Sequence, residues 1–129
     1  MFGSEYLVGP AVPVRLATTC RENSAVAIDD AVREMLDAFL ERNDCATGAV
    51  QVAIFTCTGD LTAAKPASAA RRAGWNETQF LCLAEMPTDD DVPLCIRALL
   101  LVWRGSGAKP LKPVYLRGAQ ALRPDLVDG

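Results

Sequence analysis

The chain contains no histidine among its 129 residues. This absence excludes serine–histidine and cysteine–histidine catalysis and removes a common zinc ligand. Lysine is scarce, with three residues against ten arginines, and the net charge of −3 argues against general nucleic-acid binding. No apolar run reaches the length of a membrane span, and the first residues lack the pattern of a signal peptide. We therefore expect a cytoplasmic protein with neither a membrane nor a nucleic-acid partner.

The five cysteines are odd in number and scattered, and most of them lie in apolar segments (positions 20, 45, 57, 82 and 95). No two of them have the spacing of metal ligands. We expect reduced thiols, with no disulfide framework and no bound metal or other cofactor.

Half of the residues are apolar, which is enough for one domain with a real core. We expect an N-terminal extension over residues 1–11 and a single domain over residues 12–129. Asn23 or Ser24 is expected to cap an amphipathic helix that runs to about residue 43, and Pro66 begins a short second helix that ends near Gly74. Strands are predicted near residues 13–19, 49–57, 79–86, 94–104 and 113–122. The order β-α-β-α-β-β-β predicts an α+β fold, a mixed β-sheet with helices packed on one face.

Two connections between predicted strands contain residues that are typical of turns. Asp89-Asp90-Asp91 is expected to be an acidic turn, since it lacks the further ligands of a calcium loop. Gly105-Ser106-Gly107 predicts a hairpin that leads from the strand near 94–104 into the last strand. The polar tail 124–129 is expected to fray.

Arg97 interrupts the most continuous apolar stretch of the chain, residues 94–103, and Arg15 interrupts the apolar run 12–17. An arginine keeps its proton, and an unpaired one in a core costs several kcal/mol. We therefore expect something negative to meet both side chains. Arginine also offers a planar fork that matches a carboxylate in a two-point contact. The two positions together suggest a site that holds an anion.

Glu85 also lies in an apolar run, so it too needs a partner. One interpretation is a structural ion pair between Glu85 and Arg97 on neighbouring strands. The other makes Glu85 an acceptor for a ligand hydroxyl, with Arg97 beside it on a ligand oxygen. The residues alone leave both interpretations open.

Seven short segments, taken in order, closely resemble the AroH-type, monofunctional chorismate mutases. The last of them, Leu122-Arg123-Pro124-Asp125-Leu126, is quite specific to that family, and the likeness runs from about residue 12 to 126. The segments are residues 14–19, 58–62, 66–71, 82–86, 95–97, 114–116 and 122–126.

This resemblance implies a homotrimer with a pseudo-α/β-barrel core and active sites between adjacent subunits. It also implies an isomerase of aromatic amino-acid biosynthesis (the shikimate pathway) that converts the dianion chorismate to prephenate by a Claisen rearrangement, without covalent catalysis or a metal. By position, Arg15 matches the arginine on a side-chain carboxylate, Arg97 the arginine on the ether oxygen, and Glu85 the acceptor for the ring hydroxyl. Cys82 matches a cysteine beside that glutamate, and Tyr115 a tyrosine at the enolpyruvyl end. The remaining matches are a cleft-lining alanine and two arginines at the cleft mouth, namely Ala67, Arg71 and Arg123.

Three positions depart from the family pattern. Lys65 stands where an aromatic residue usually packs at the substrate pocket, Ser68 where some members have lysine, and Leu16 where glycine is usual. Lys65 either adds a cation to the site or points to solvent. These departures keep two alternatives open: a repurposed paralogue, in secondary metabolism for example, acting on another carboxylated substrate, and a catalytically silent ligand-binding trimer.

Overall fold

Strand β4 (Cys95–Trp103) is the centre of a five-stranded sheet. In this computed structural model, which describes residues 11–104 and 109–126, β4 pairs antiparallel with strand β1 on one side and with strand β2 on the other. Strand β3 extends the sheet parallel to β2, and strand β5 extends it parallel to β1, so that the order is β3-β2-β4-β1-β5. The other strands are β1 (Ala11–Thr19), β2 (Val50–Cys57), β3 (Gln79–Ala84) and β5 (Val114–Tyr115).

Two helices cover one face of this sheet. Helix α1 (Ala25–Asn43) begins at Ser24, whose hydroxyl accepts a hydrogen bond from the Ala27 N–H at 3.1 Å. Helix α2 (Pro66–Arg72) has proline at its first position, where the missing N–H costs nothing. The chain leaves α2 through Gly74, whose φ of +99° is accessible to glycine at little cost. Neither helix is long and apolar enough to cross a membrane.

The core lies between these helices and alternate residues of the strands. In β4 the residues buried against the helices are Ile96, Ala98, Leu100 and Val102, and Arg97, Leu99 and Leu101 occupy the opposite face. Cys95, at the start of β4, is buried in a separate small cluster. Helix α1 contributes its stripe of apolar residues, and Phe39 of that stripe contacts the buried Trp75 with ring centroids 6.5 Å apart. Most of the helix-facing side of the sheet is therefore buried, and the other side is largely open.

The predicted fold class is confirmed, but the last part of the chain differs from expectation. Residues 113–122 do not form one strand; β5 has two residues and is followed by a 3-10 helix at Arg117–Leu122. The expected hairpin with β4 is wrong, because β5 pairs with β1 in parallel. Asn43 gives the physical reason. Its amide bonds both the N–H and the C=O of Lys112, at 2.6 and 3.0 Å, and so ties the chain to the end of α1 before it reaches β1. Residues 1–10 of the expected extension, residues 105–107 and the last three residues of the tail, 127–129, lie outside the described residues.

The start of β4 is held by a loop that follows β2. The Thr58 hydroxyl donates to Asp60 Oδ1 at 2.6 Å and accepts from the Cys95 N–H at 2.9 Å. Asp60 Oδ2 accepts from the Leu94 N–H at 2.9 Å, and Leu94 has the left-handed φ of +52°. Hydrogen bonds donated by Thr58 and by the Leu94 backbone lower the pKa of Asp60. This network fixes the entry into β4, two residues before Arg97.

We expect Asp60→Asn to destabilise the protein by about 1 kcal/mol at pH 7, because the charged acceptor is lost. Since the Asp60 pKa is lowered in the folded protein, its stabilisation is present above the unfolded-state pKa and is lost as the pH falls through the folded-state value. Urea unfolding of wild type and variant should therefore differ at pH 7, and the difference should shrink as the pH falls through the lowered Asp60 pKa. Asp37→Asn, at an exposed position of α1, is the matched control and should change little across this pH range.

Candidate active site

The register of the strands places three predicted site residues on the open face of the sheet. Arg97 on β4 lies opposite Ala17 on β1 and Thr56 on β2, and Ala17 lies beside Tyr115 on β5. Arg15 lies two residues from Ala17 along β1, opposite Leu99. Paired residues point to the same face, so these side chains converge.

They line a cavity of about 330 Å³ on that face. Its polar side chains come from β1, β2, β4, β5 and the residue after β3, and apolar side chains of β2 and β4 form part of its wall. The lining includes Arg15, Ile54, Thr56, Glu85, Arg97, Leu99 and Tyr115. The structure thus brings together Arg15, Glu85, Arg97 and Tyr115 within a single chain.

One oxygen of Glu85 carries the polar contacts of this cavity. Oε1 accepts a hydrogen bond from the Thr56 hydroxyl at 2.6 Å and lies 3.5 Å from Arg97 Nε. Within residues 11–104 and 109–126, no hydrogen bond reaches Glu85 Oε2, and Arg15 makes no hydrogen bond or ion pair. Two guanidinium groups therefore face one carboxylate, which leaves a net positive charge for a ligand.

The apolar residues around Arg97 in the sequence suggest that it lies in the core, but the structure places its side chain on the open face. Its side chain is 47% exposed, because the alternation of β4 turns it away from the helices. The expected contact with Glu85 exists, but it is long, 3.5 Å at its closest between Nε and Oε1, and ion pairs this exposed contribute little to stability. Burial raises the pKa of the neighbouring Cys95 thiol, and the positive charge of Arg97 opposes that rise.

Four other predicted residues form a second group at the β3 edge of the sheet. Lys65, Ala67, Arg71 and Cys82 line a cavity of about 260 Å³ together with Phe80 and Leu81. The Arg71 guanidinium lies 5.2 Å above the centre of the Phe80 ring. One chain does not bring this group to the first cavity. Lys65 is exposed and also lines this cavity, so both interpretations of this residue stay predictions.

Arg123 lies near the first cavity but is occupied by its own neighbour. Its Nε and Nη2 donate to the two carboxylate oxygens of Asp125 at 3.1 and 2.9 Å. Asp125 raises the pKa of Arg123, and Tyr115 of the cavity adds a smaller effect in the same direction. Arg123 therefore lies within electrostatic range of the site, directly before the last described turn, Pro124–Leu126.

Reasoning from the sequence missed Thr56 and the apolar wall of the cavity, Ile54 and Leu99. Thr56 had a signal, because it is the one hydroxyl side chain within the apolar strand β2. Ile54 and Leu99 had none, since an apolar residue in a strand has the same appearance whichever face it occupies.

Comparison with known proteins finds matches over almost the whole chain. The family model for chorismate mutase type I matches residues 11–126. The chain is 40% identical over 114 residues to chorismate mutase AroH of Thermus thermophilus, an alignment that covers 88% of this chain and 93% of that protein. It is 30% identical over 114 residues to chorismate mutase AroH of Bacillus subtilis, with 88% and 90% covered. A solved structure of a chorismate mutase from Clostridium thermocellum superimposes with a TM-score of 0.80 at 35% identity, covering 85% of this chain and 98% of that one.

Proposed function

This chain belongs to the chorismate mutase type I family, and from that membership we propose that it rearranges chorismate to prephenate in the cavity of Arg15 and Arg97. The single observation that supports this site best is its charge. Two arginines and one glutamate face the same cavity on an open sheet face, which suits a ligand with two carboxylates and a hydroxyl.

The rearrangement is intramolecular, so the protein has to hold the substrate in a reactive shape and stabilise the charge that develops. Breaking of the C–O bond places negative charge on the ether oxygen. A fixed guanidinium there stabilises the transition state more than the ground state, and we assign this role to Arg97. Glu85 accepts from the ring hydroxyl, Arg15 binds a carboxylate, and Tyr115 contacts the enolpyruvyl end.

Arg97→Ala should lower kcat by roughly 10²–10³-fold, the usual effect of removing one positioned donor to developing negative charge. The measurement is prephenate formation from chorismate by the purified protein. Arg33→Ala is the matched control, because Arg33 is an exposed arginine of α1 that pairs with Asp29 on the helix side. The urea-unfolding midpoint of Arg97→Ala should stay close to that of wild type. Near-native turnover by Arg97→Ala would contradict the assigned role.

We further propose a homotrimer with each active site between two subunits. The open face of the sheet supports an assembly, because it exposes large apolar side chains: Leu81 is 55% exposed, Leu83 47% and Leu99 37%. The division of the site residues supports a shared site. Arg15, Glu85, Arg97 and Tyr115 lie in one cavity of the chain, and the residues around Arg71 lie in another.

A shared site predicts complementation between two inactive variants. Arg97→Ala damages the first cavity, and the double variant Lys65→Ala/Arg71→Ala damages the second. When the two chains are co-expressed, some interfaces should join two intact halves, and activity should return to about a tenth or more of wild type. Each variant expressed alone is the control. If mixed oligomers form, as shown by differently tagged chains, and no activity returns, each site lies within one chain.

Lys65 supports one alternative, a paralogue that acts on another carboxylated substrate. It is exposed beside the Arg71 cavity and brings an extra cation where an aromatic residue is usual in the family. Incubation of wild type with chorismate separates the two proposals. Formation of prephenate supports the mutase, and a folded oligomer that leaves chorismate unchanged favours the paralogue or a silent binding protein.

A cytoplasmic location is also part of this proposal. All five cysteines are free in the structure, and burial raises the pKa of Cys20 to about 11 and that of Cys57 to about 12. Such thiols are poor nucleophiles at neutral pH and suit a reducing compartment.

A further inference from the structure

Thr56 occupies a special place in the cavity, because its side chain touches the substrate-facing glutamate. It lies on β2 directly opposite Arg97 of β4, with Leu83 of β3 on its other side. The side chain is half-buried, and its hydroxyl donates to Glu85 Oε1 at 2.6 Å. No site role was assigned to this residue by the family comparison or by the sequence.

Thr56 and Arg97 compete for the same oxygen, and the neutral hydroxyl has the shorter contact. Arg97 Nε lies 3.5 Å from Glu85 Oε1, well beyond the roughly 2.7–2.9 Å of a charge-assisted hydrogen bond. An arginine and a carboxylate that meet freely prefer a two-point fork. Glu85 and Arg97 do not form that fork here, and the group that binds Glu85 Oε1 closely is the Thr56 hydroxyl.

We propose that Thr56 is a positioning residue for Glu85. By holding Oε1, it directs Oε2 to the ligand and keeps Glu85 from forming a two-point pair with Arg97. The terminal nitrogens of Arg97 then remain available for a ligand oxygen. This inference rests on the proposed function, in which Glu85 and Arg97 contact the substrate.

Thr56→Val keeps the shape of the side chain and removes the hydroxyl. Glu85 should then turn onto Arg97, and kcat/KM for chorismate should fall roughly 10- to 100-fold, as expected for a lost hydrogen bond to a charged group. Most of the loss should be in kcat, because the Arg97 contact that is lost acts on charge developing in the transition state. Thr56→Ser retains the hydroxyl and should stay within about threefold of wild type.

A double-mutant cycle separates positioning from a general packing effect. In the Glu85→Ala background, Thr56→Val should have little further effect on kcat/KM, since the hydroxyl no longer has its partner. Thr18→Val is the matched control for removing a threonine hydroxyl from this sheet. Thr18 is fully buried on the helix-facing side of β1, and within the described part of the chain its hydroxyl has no hydrogen-bond partner. Its substitution should leave kcat/KM unchanged.

Each of three activity results would overturn the proposal: wild-type activity in Thr56→Val, equal losses in Thr56→Val and Thr56→Ser, or the same loss with and without Glu85. A crystal structure of Thr56→Val provides a readout that does not depend on activity. It should show both Glu85 oxygens within about 3 Å of the Arg97 guanidinium; an unchanged Glu85 conformation would also overturn the proposal. If wild type fails to convert chorismate, the proposed function fails, and this structure still decides whether Thr56 holds Glu85.

Discussion

The register of β4 against β1 and β2 is the constraint on which the rest of the structure depends. In β4 the side chains alternate, so Ile96 and Ala98 pack under the helices and Arg97 lies on the open face. A slip of one residue would exchange the two faces and place a guanidinium in the core, at a cost of several kcal/mol. The strand register that buries the core residues therefore also determines where the site residues lie. The Thr58–Asp60 network enforces it at the point where β4 begins.

A second feature of the described residues is that both helices cover one face of the sheet, whereas the other face is covered at one end only, where Ala119 packs against Ala17 and Cys95. The open part of that face carries an apolar band with two arginines within it. A surface of this kind suits contact with other copies of the chain and binding of a charged ligand. The two roles are compatible, because the apolar side chains exclude water and strengthen the interaction of the arginines with an anion. A chain this short can therefore bind a ligand on its sheet face.

The charged groups of the site are arranged so that they do not cancel one another. Glu85 is held by Thr56 and stays at a distance from Arg97. Arg123 and Asp125 show the alternative, a two-point pair at 3.1 and 2.9 Å. The Glu85–Arg97 contact lacks that closure, and we attribute the difference to the Thr56 hydroxyl. An ion pair held open in this way retains its capacity to bind a ligand.

Much of the fold was predictable from local patterns in the sequence. The period of α1, the Ser24 cap, the position of Pro66 and the apolar strands all act within a few residues, and they indicated an α+β protein; the ordered motifs indicated the family. Tertiary structure decided what depends on contacts distant in sequence. Asn43 binds Lys112 and diverts the chain from the expected hairpin, so that β5 joins β1. Arg97 lies on an exposed face although its neighbours in the sequence are apolar, and Thr56 meets Glu85 across 29 positions. Most helices and strands, and the family, could be predicted from the sequence because those signals are local or ordered along the chain, whereas the extent of β5 could not. Only the pairing of strands decided which side chains share a face, because that choice is made between residues far apart in the chain.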